Sequence, residues 1–88
     1  MANIVNEDKI AKSWDEVIES VDNDIEVAKG FIITNTNLYD RFVSEEDVDK
    51  VIKLQAVILQ YRDYIAQKRG QRAQLMEQRQ EYLDSKNA

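Results

Sequence analysis

The chain has 88 residues, a formal net charge of −5, and no cysteine, histidine or proline. A chain of this length forms at most one domain. Without cysteine or histidine it has no disulfide, no thiolate chemistry, and neither the commonest general base nor the commonest metal ligand. We therefore expect no enzymatic activity, no cofactor, no metal site and no small-molecule substrate.

The first residues lack the basic patch and apolar run of a signal peptide. Nowhere does the chain approach the roughly 18 consecutive apolar residues of a membrane span. We expect a cytoplasmic protein, or one within a particle assembled in the cytoplasm, with no membrane contact.

A first helix is predicted over about residues 6–42. Asn6 is a suitable N-cap, and Glu7 and Asp8 place negative charge in the first turn. Apolar residues then recur at helical spacing through Phe42. Gly30 and the weak helix formers at 34–37 favour an alternative, a break near residues 30–37, but the unbroken spacing favours a continuous helix.

A second helix is predicted over about residues 45–84. Ser44 is a suitable N-cap, and three acidic residues follow it at 45–47. Apolar residues keep helical spacing as far as Leu83, whereas residues 84–88 have no pattern and should form a frayed tail.

Two helices of similar length with a tight turn at 42–44 predict an all-α fold, an antiparallel, coiled-coil-like hairpin of residues 1–88 that forms one domain. In that register, facing residue numbers add to about 87, so Trp14 faces Ala73 and Val17 faces Gly70. Gly70 would then allow a close approach, or mark a break in the helix. The predicted hairpin core is Ile10, Trp14, Val17, Val21, Ile25, Ile58, Leu59, Ile65, Ala66, Ala73 and Met76.

The second helix has another apolar row beside the predicted core. One partner helix covers only one stripe, so this row predicts an interface with further copies of the chain or with a larger protein. The alternative is a solvated flank. The predicted interface residues are Leu54, Val57, Tyr61, Tyr64, Leu75 and Tyr82.

Charge is unevenly distributed along the chain. Residues 1–50 have thirteen acids and five bases, and residues 51–88 have four acids and seven bases. The basic residues Lys68, Arg69, Arg72 and Arg79 are candidates for nucleic-acid contact, but the acidic overall charge favours pairing with acidic helices of the same assembly. An acidic row at Asp15, Glu19, Asp22 and Glu26 lacks the histidines of a dimetal bundle site and indicates a solvated face that partly pairs with the basic half.

This organisation resembles that of small phage assembly or packaging proteins and small bacterial adaptor proteins. It implies an oligomeric, non-enzymatic structural, assembly or adaptor protein that acts through protein–protein contacts. Two alternatives remain: a small inhibitor or regulator of a cellular protein, and a nucleic-acid adaptor using the basic half of helix two.

Overall fold

A computed structural model describes residues 8–87, and the regular elements in this range are two α-helices, α1 (Lys9–Ser44) and α2 (Val48–Asn87). The helices pack side by side along their length and run in opposite directions, so the predicted all-α antiparallel hairpin is confirmed. The molecule measures 69 × 23 × 11 Å. Because its smallest dimension is about the diameter of one helix, the fold is a single layer.

Helix α1 is continuous through residues 30–37, as the apolar spacing predicted. Its weak helix formers bond to the preceding turn: Thr34 Oγ1 donates to the Gly30 carbonyl (3.2 Å), and Asn35 Nδ2 donates to the Phe31 carbonyl (2.7 Å). These side chains therefore satisfy their polar groups without interrupting the helix.

The N-cap of α1 is Asp8, whose Oδ1 accepts hydrogen bonds from the amides of Ile10 (3.0 Å) and Ala11 (3.1 Å). The predicted cap, Asn6, lies outside the described residues. An aspartate at this position satisfies two of the amides that a helix start leaves without partners.

The turn between the helices lies about three residues later than predicted. Ser44 ends α1, and its hydroxyl donates to the Arg41 carbonyl (2.8 Å), so it does not cap α2. Asp47 precedes α2 instead, and its Oδ1 accepts from the Lys50 amide (3.4 Å). Residues 44–47 all have side-chain oxygens that can accept a hydrogen bond, so the sequence alone did not show which of them caps α2. The prediction of a helix start at Ser44 was wrong.

The carboxyl-terminal end of α2 also differs from the prediction. The helix continues to Asn87, so residues 84–87 do not form a frayed tail, and Ala88 lies outside the described residues. Lys86 pairs with Asp8 across the hairpin (2.6 Å), and Gln80 bonds to Asp84 (2.9 Å). These contacts hold the last turns in place.

Glu46, within the turn, has a φ of 59°, in the left-handed region. A residue with a Cβ atom pays roughly 1 kcal/mol there, and glycine does not. We expect Glu46→Gly to raise the free energy of unfolding by up to about 1 kcal/mol, measured by urea denaturation. The matched change Glu45→Gly, at a φ of −85°, should be destabilising, and a loss of stability at Glu46→Gly would contradict the prediction.

Two heptad-spaced rows from each helix form the seam of the hairpin. The seam residues are, in α1, Ala11, Trp14, Ile18, Val21, Ile25, Ala28, Ile32, Asn35, Tyr39 and Phe42, and, in α2, Val51, Leu54, Ile58, Tyr61, Ile65, Lys68, Arg72, Leu75, Arg79 and Tyr82; all are buried or half-buried. The best-buried cluster is Val21, Ile25, Ala28 and Ile65. A repeat of seven sustained in both helices is typical of coiled-coil packing.

The helices are offset from the predicted register by about one heptad. Asp15 pairs with Arg79 and Asp22 with Arg72, so facing residue numbers add to 94 rather than to about 87. Trp14 accordingly lies against Tyr82 (ring centroids 5.3 Å apart) and not against Ala73. Moving a turn by three residues displaces both helices, which accounts for most of the offset.

The side of α2 that faces α1 also differs from the prediction, and this changes which predicted core residues are buried. Val21, Ile25 and Ile65 are buried, and Trp14 and Ile58 are half-buried. The prediction was wrong for the residues that the structure leaves exposed: Ile10, Val17, Leu59, Ala66, Ala73 and Met76. The physical reason is that the apolar surface of α2 is wider than one seam, and the seam combines the row containing Tyr61 and Leu75 with only the nearer edge of the predicted face, which includes Ile58 and Ile65.

Gly70 does not mark a close approach between the helices. A methyl group added at Gly70, or at Gly30, would have no neighbouring atom within 4 Å. The helix is also continuous at both positions, so Gly70 does not mark a break.

Candidate interaction surfaces

A ladder of three ion pairs follows one edge of the seam. Asp8 pairs with Lys86 (2.6 Å), and the rungs one and two heptads further along are Asp15 with Arg79 (2.7 Å) and Asp22 with Arg72 (2.6 Å). The acids are the N-cap of α1 and two residues within α1, and all three bases come from α2. The predicted pairing of the acidic helix with the basic half is therefore confirmed for Asp15 and Asp22.

The ladder favours the observed register over its neighbours. A shift of one heptad in one direction would place Asp22 opposite Ile65, and a shift in the other direction would place Lys29 opposite Arg72. Each alternative loses a rung, and the second also brings like charges together. Half-exposed pairs contribute only about 0.2–1 kcal/mol each, so the ladder selects orientation and register more than it stabilises the fold.

The candidate nucleic-acid contacts are mostly occupied within the chain. Arg72 and Arg79 belong to the ladder, and Lys68 pairs with Asp24 (3.3 Å). Arg69 is exposed beside Glu26 and Lys29. Since phosphate binding depends on available positive charge, this arrangement weakens the case for a nucleic-acid surface here.

Asp8 connects the first turn of α1 to the last turns of α2. Beyond capping α1, its carboxylate accepts hydrogen bonds from the Tyr82 hydroxyl (3.0 Å to Oδ2) and from Lys86 Nζ (2.6 Å). The bond from Lys86, followed by that from the Ala11 amide, lowers the pKa of Asp8 from its usual 3.8 to about 2. The hydrogen bond to Asp8 raises the pKa of Lys86, and desolvation followed by the contact with Asp8 raises the pKa of Tyr82.

The depressed pKa of Asp8 predicts an acid-dependent loss of stability. Because the folded pKa lies below the unfolded value, the stabilisation is complete above pH 3.8 and is lost as the pH falls towards 2. We expect wild type to be more stable than Asp8→Asn at neutral pH and the difference to shrink below about pH 4. Asparagine retains the capping oxygen. Denaturation of both proteins across this range is the measurement, and a difference that does not vary with pH would contradict the prediction.

The residues predicted as a partner interface fall in two different places. Leu54, Tyr61, Leu75 and Tyr82 lie in the seam and contact α1, which corrects their assignment as an outward-facing row. Tyr61 stacks on Phe31, with ring centroids 5.3 Å apart. The flanking pair, Val57 and Tyr64, lines an open groove, and the inner edge of Tyr61 contributes to the same groove.

One broad face of the hairpin is apolar and nearly uncharged. We call it the neutral face and define it by Ile10, Val17, Val27, Phe31, Val57 and Tyr64. Its central groove, about 630 Å³ in volume, lies between the two helices. Two charges beside its groove, Asp24 and Lys68, pair with each other, and Lys68 Nζ lies 5.4 Å from the centre of the Tyr64 ring.

The opposite face is charged, and we define this charged face by Asp22, Glu26, Lys29, Arg69 and Arg72 around a shallow depression. Ala73 lies at its edge. Ile52 and Leu59, on the same heptad row of α2 as Ala73, are 59% and 55% exposed. The two faces of the hairpin thus differ in charge, although both expose apolar side chains.

Sequence reasoning missed the neutral face as a surface. Its members come from both helices, and they share a side because of the way α2 is turned towards α1. The signal was present in the heptad row Ile10, Val17, Asp24, Phe31 and Leu38, which flanks the seam rows of α1.

Within residues 8–87, no group of acidic side chains is arranged to hold a metal ion. Neither described helix has an apolar segment of the length needed to cross a bilayer. No known protein family, curated protein or solved structure matches the chain.

Proposed function

We propose that this protein is a non-enzymatic, oligomeric helical component of an assembly and that it acts through protein–protein contacts. The observation that carries this proposal is the single-layer fold, 11 Å thick, with apolar side chains exposed on both sides. Stable domains usually bury their apolar faces between two or more layers.

The burial of the side chains supports the same conclusion. No side chain in residues 8–87 is completely buried, whereas Val27, Ile33, Val48 and Ile52 are each more than half exposed. Apolar side chains exposed on both sides of a thin layer are available for contact with a partner. Association would supply the second layer that the isolated hairpin lacks.

Light scattering or sedimentation equilibrium at micromolar concentrations tests the proposal. We expect a mass that is a multiple of the single-chain mass and that falls on dilution. A well-folded monomer across this range, with helical circular dichroism, would contradict it. Recovery of a single stoichiometric foreign protein by a chain that remains monomeric would favour the role of an inhibitor or regulator instead.

A further inference from the structure

We propose that the neutral face binds the neutral face of a second copy, so that two hairpins stack as a four-helix bundle with α1 of each copy over α2 of the other. This inference rests on the proposed function and specifies its partner and its surface. The occupant is a second copy of this chain.

The chemistry of the neutral face suits the centre of a protein interface. Interface centres are depleted of charge and enriched in aromatic residues. Here Phe31 and Tyr64 are 48% and 38% exposed, with Val27 beside them at 59%. Of the polar side chains that line it, Ser13 and Gln60 carry no charge, and Asp24 is paired with Lys68.

The broad side of the hairpin that contains the neutral face is large enough for a stable dimer. The broad face of the hairpin is 69 Å long and 23 Å wide. A stable interface buries roughly 800 Å² per partner, which is less than the area of this face. Stacking would also convert an 11 Å layer into two layers that share a core.

The net charges of the two helices favour one orientation of a second copy. Helix α1 has seven acids and four bases, whereas α2 has five acids and eight bases, so their net charges are −3 and +3. A two-fold axis parallel to the hairpin places each α1 over the partner's α2 and keeps the two helices antiparallel. Both turns then lie at the same end, where Arg41 and Lys50 partly neutralise Glu45 and Asp47.

The same symmetry aligns the aromatic groups. Because an axis parallel to the hairpin preserves position along its length, Phe31 of one copy lies near Tyr64 of the other, as it does within each copy. The groove of each copy thereby receives the Phe31 and Tyr64 side chains of the other copy. In an isologous interface of this kind, one substitution acts twice.

Two matched substitutions test the proposal. Val27→Glu adds a carboxylate to the neutral face, and Ile52→Glu adds one on α2 away from it; both parent residues are β-branched and 59% exposed. We expect Val27→Glu to raise the dimer Kd by about 100-fold or more, since each dimer would bury two carboxylates, and Ile52→Glu to leave it nearly unchanged. Sedimentation equilibrium measures Kd, and circular dichroism checks folding.

The outcomes separate this inference from the proposed function. A monomeric wild type would overturn both. An oligomer that Ile52→Glu dissociates and Val27→Glu does not would overturn only the neutral-face inference.

A second measurement applies even if Val27→Glu fails to fold. The native chain has no cysteine, so Glu45→Cys gives a single position for a spin label in the turn. We expect a short label-to-label distance in the dimer, with both turns at one end. A distance approaching the 69 Å length of the hairpin would overturn the arrangement.

Discussion

Replacing Ile65 with alanine is expected to lower the free energy of unfolding by about 2–4 kcal/mol. Ile65 is 7% exposed and is the one residue of α2 in the buried cluster, where it packs with Val21, Ile25 and Ala28. Truncation removes apolar area and leaves a cavity that two straight helices cannot easily close. No other described side chain of α2 is comparably buried, so nothing nearby compensates for the loss.

Leu59→Ala is the matched control. Leu59 is 55% exposed, and its truncation should change stability by no more than about 0.5 kcal/mol. Urea denaturation of both variants at one fixed protein concentration measures the difference, because association contributes to apparent stability. Equal losses at the two positions would mean that the seam uses the other apolar stripe of α2, as the sequence periodicity predicted.

The double substitution Gly30→Ala and Gly70→Ala is expected to raise the free energy of unfolding by about 1–2 kcal/mol. Each glycine lies inside a helix with a helical backbone, and a methyl group at either position meets no atom within 4 Å. Alanine loses less backbone entropy on folding than glycine, so each change contributes roughly half of the gain.

The reverse change, Ala56→Gly, serves as the control for this entropy argument. Ala56 is an exposed residue inside α2, and glycine there should cost about 1 kcal/mol. Thermal or urea denaturation at matched protein concentration gives the free energies of unfolding of wild type, the double alanine variant and Ala56→Gly. A less stable alanine double variant would show that the helices need backbone freedom at residues 30 and 70, contrary to the geometry.

Local chemistry in the sequence was sufficient to predict the helices and their pairing. Helical spacing of apolar residues through Phe42 outweighed the weak helix formers at 34–37, because side-chain bonds to the preceding turn satisfy Thr34 and Asn35 within the helix. The acidic and basic halves indicated that the two helices pair, and the ladder from Asp8 to Asp22 is the result.

The position of the turn was decided by tertiary structure. Acceptor side chains at 44–47 made more than one turn possible, and the ladder is complete in only one of the neighbouring registers. Shifting the turn by three residues moved Tyr61, Leu75 and Tyr82 into the seam and left Leu59 and Met76 exposed.

The sequence by itself thus determined two amphipathic helices and their attraction, because periodicity and charge act within one helix or between whole helices. Only the tertiary structure decided which of the two stripes of α2 is covered and which residues form the neutral face. The physical reason is that both stripes are apolar enough to be buried, and the choice between them depends on contacts between residues that lie far apart in sequence, such as Asp22 with Arg72 and Asp8 with Lys86.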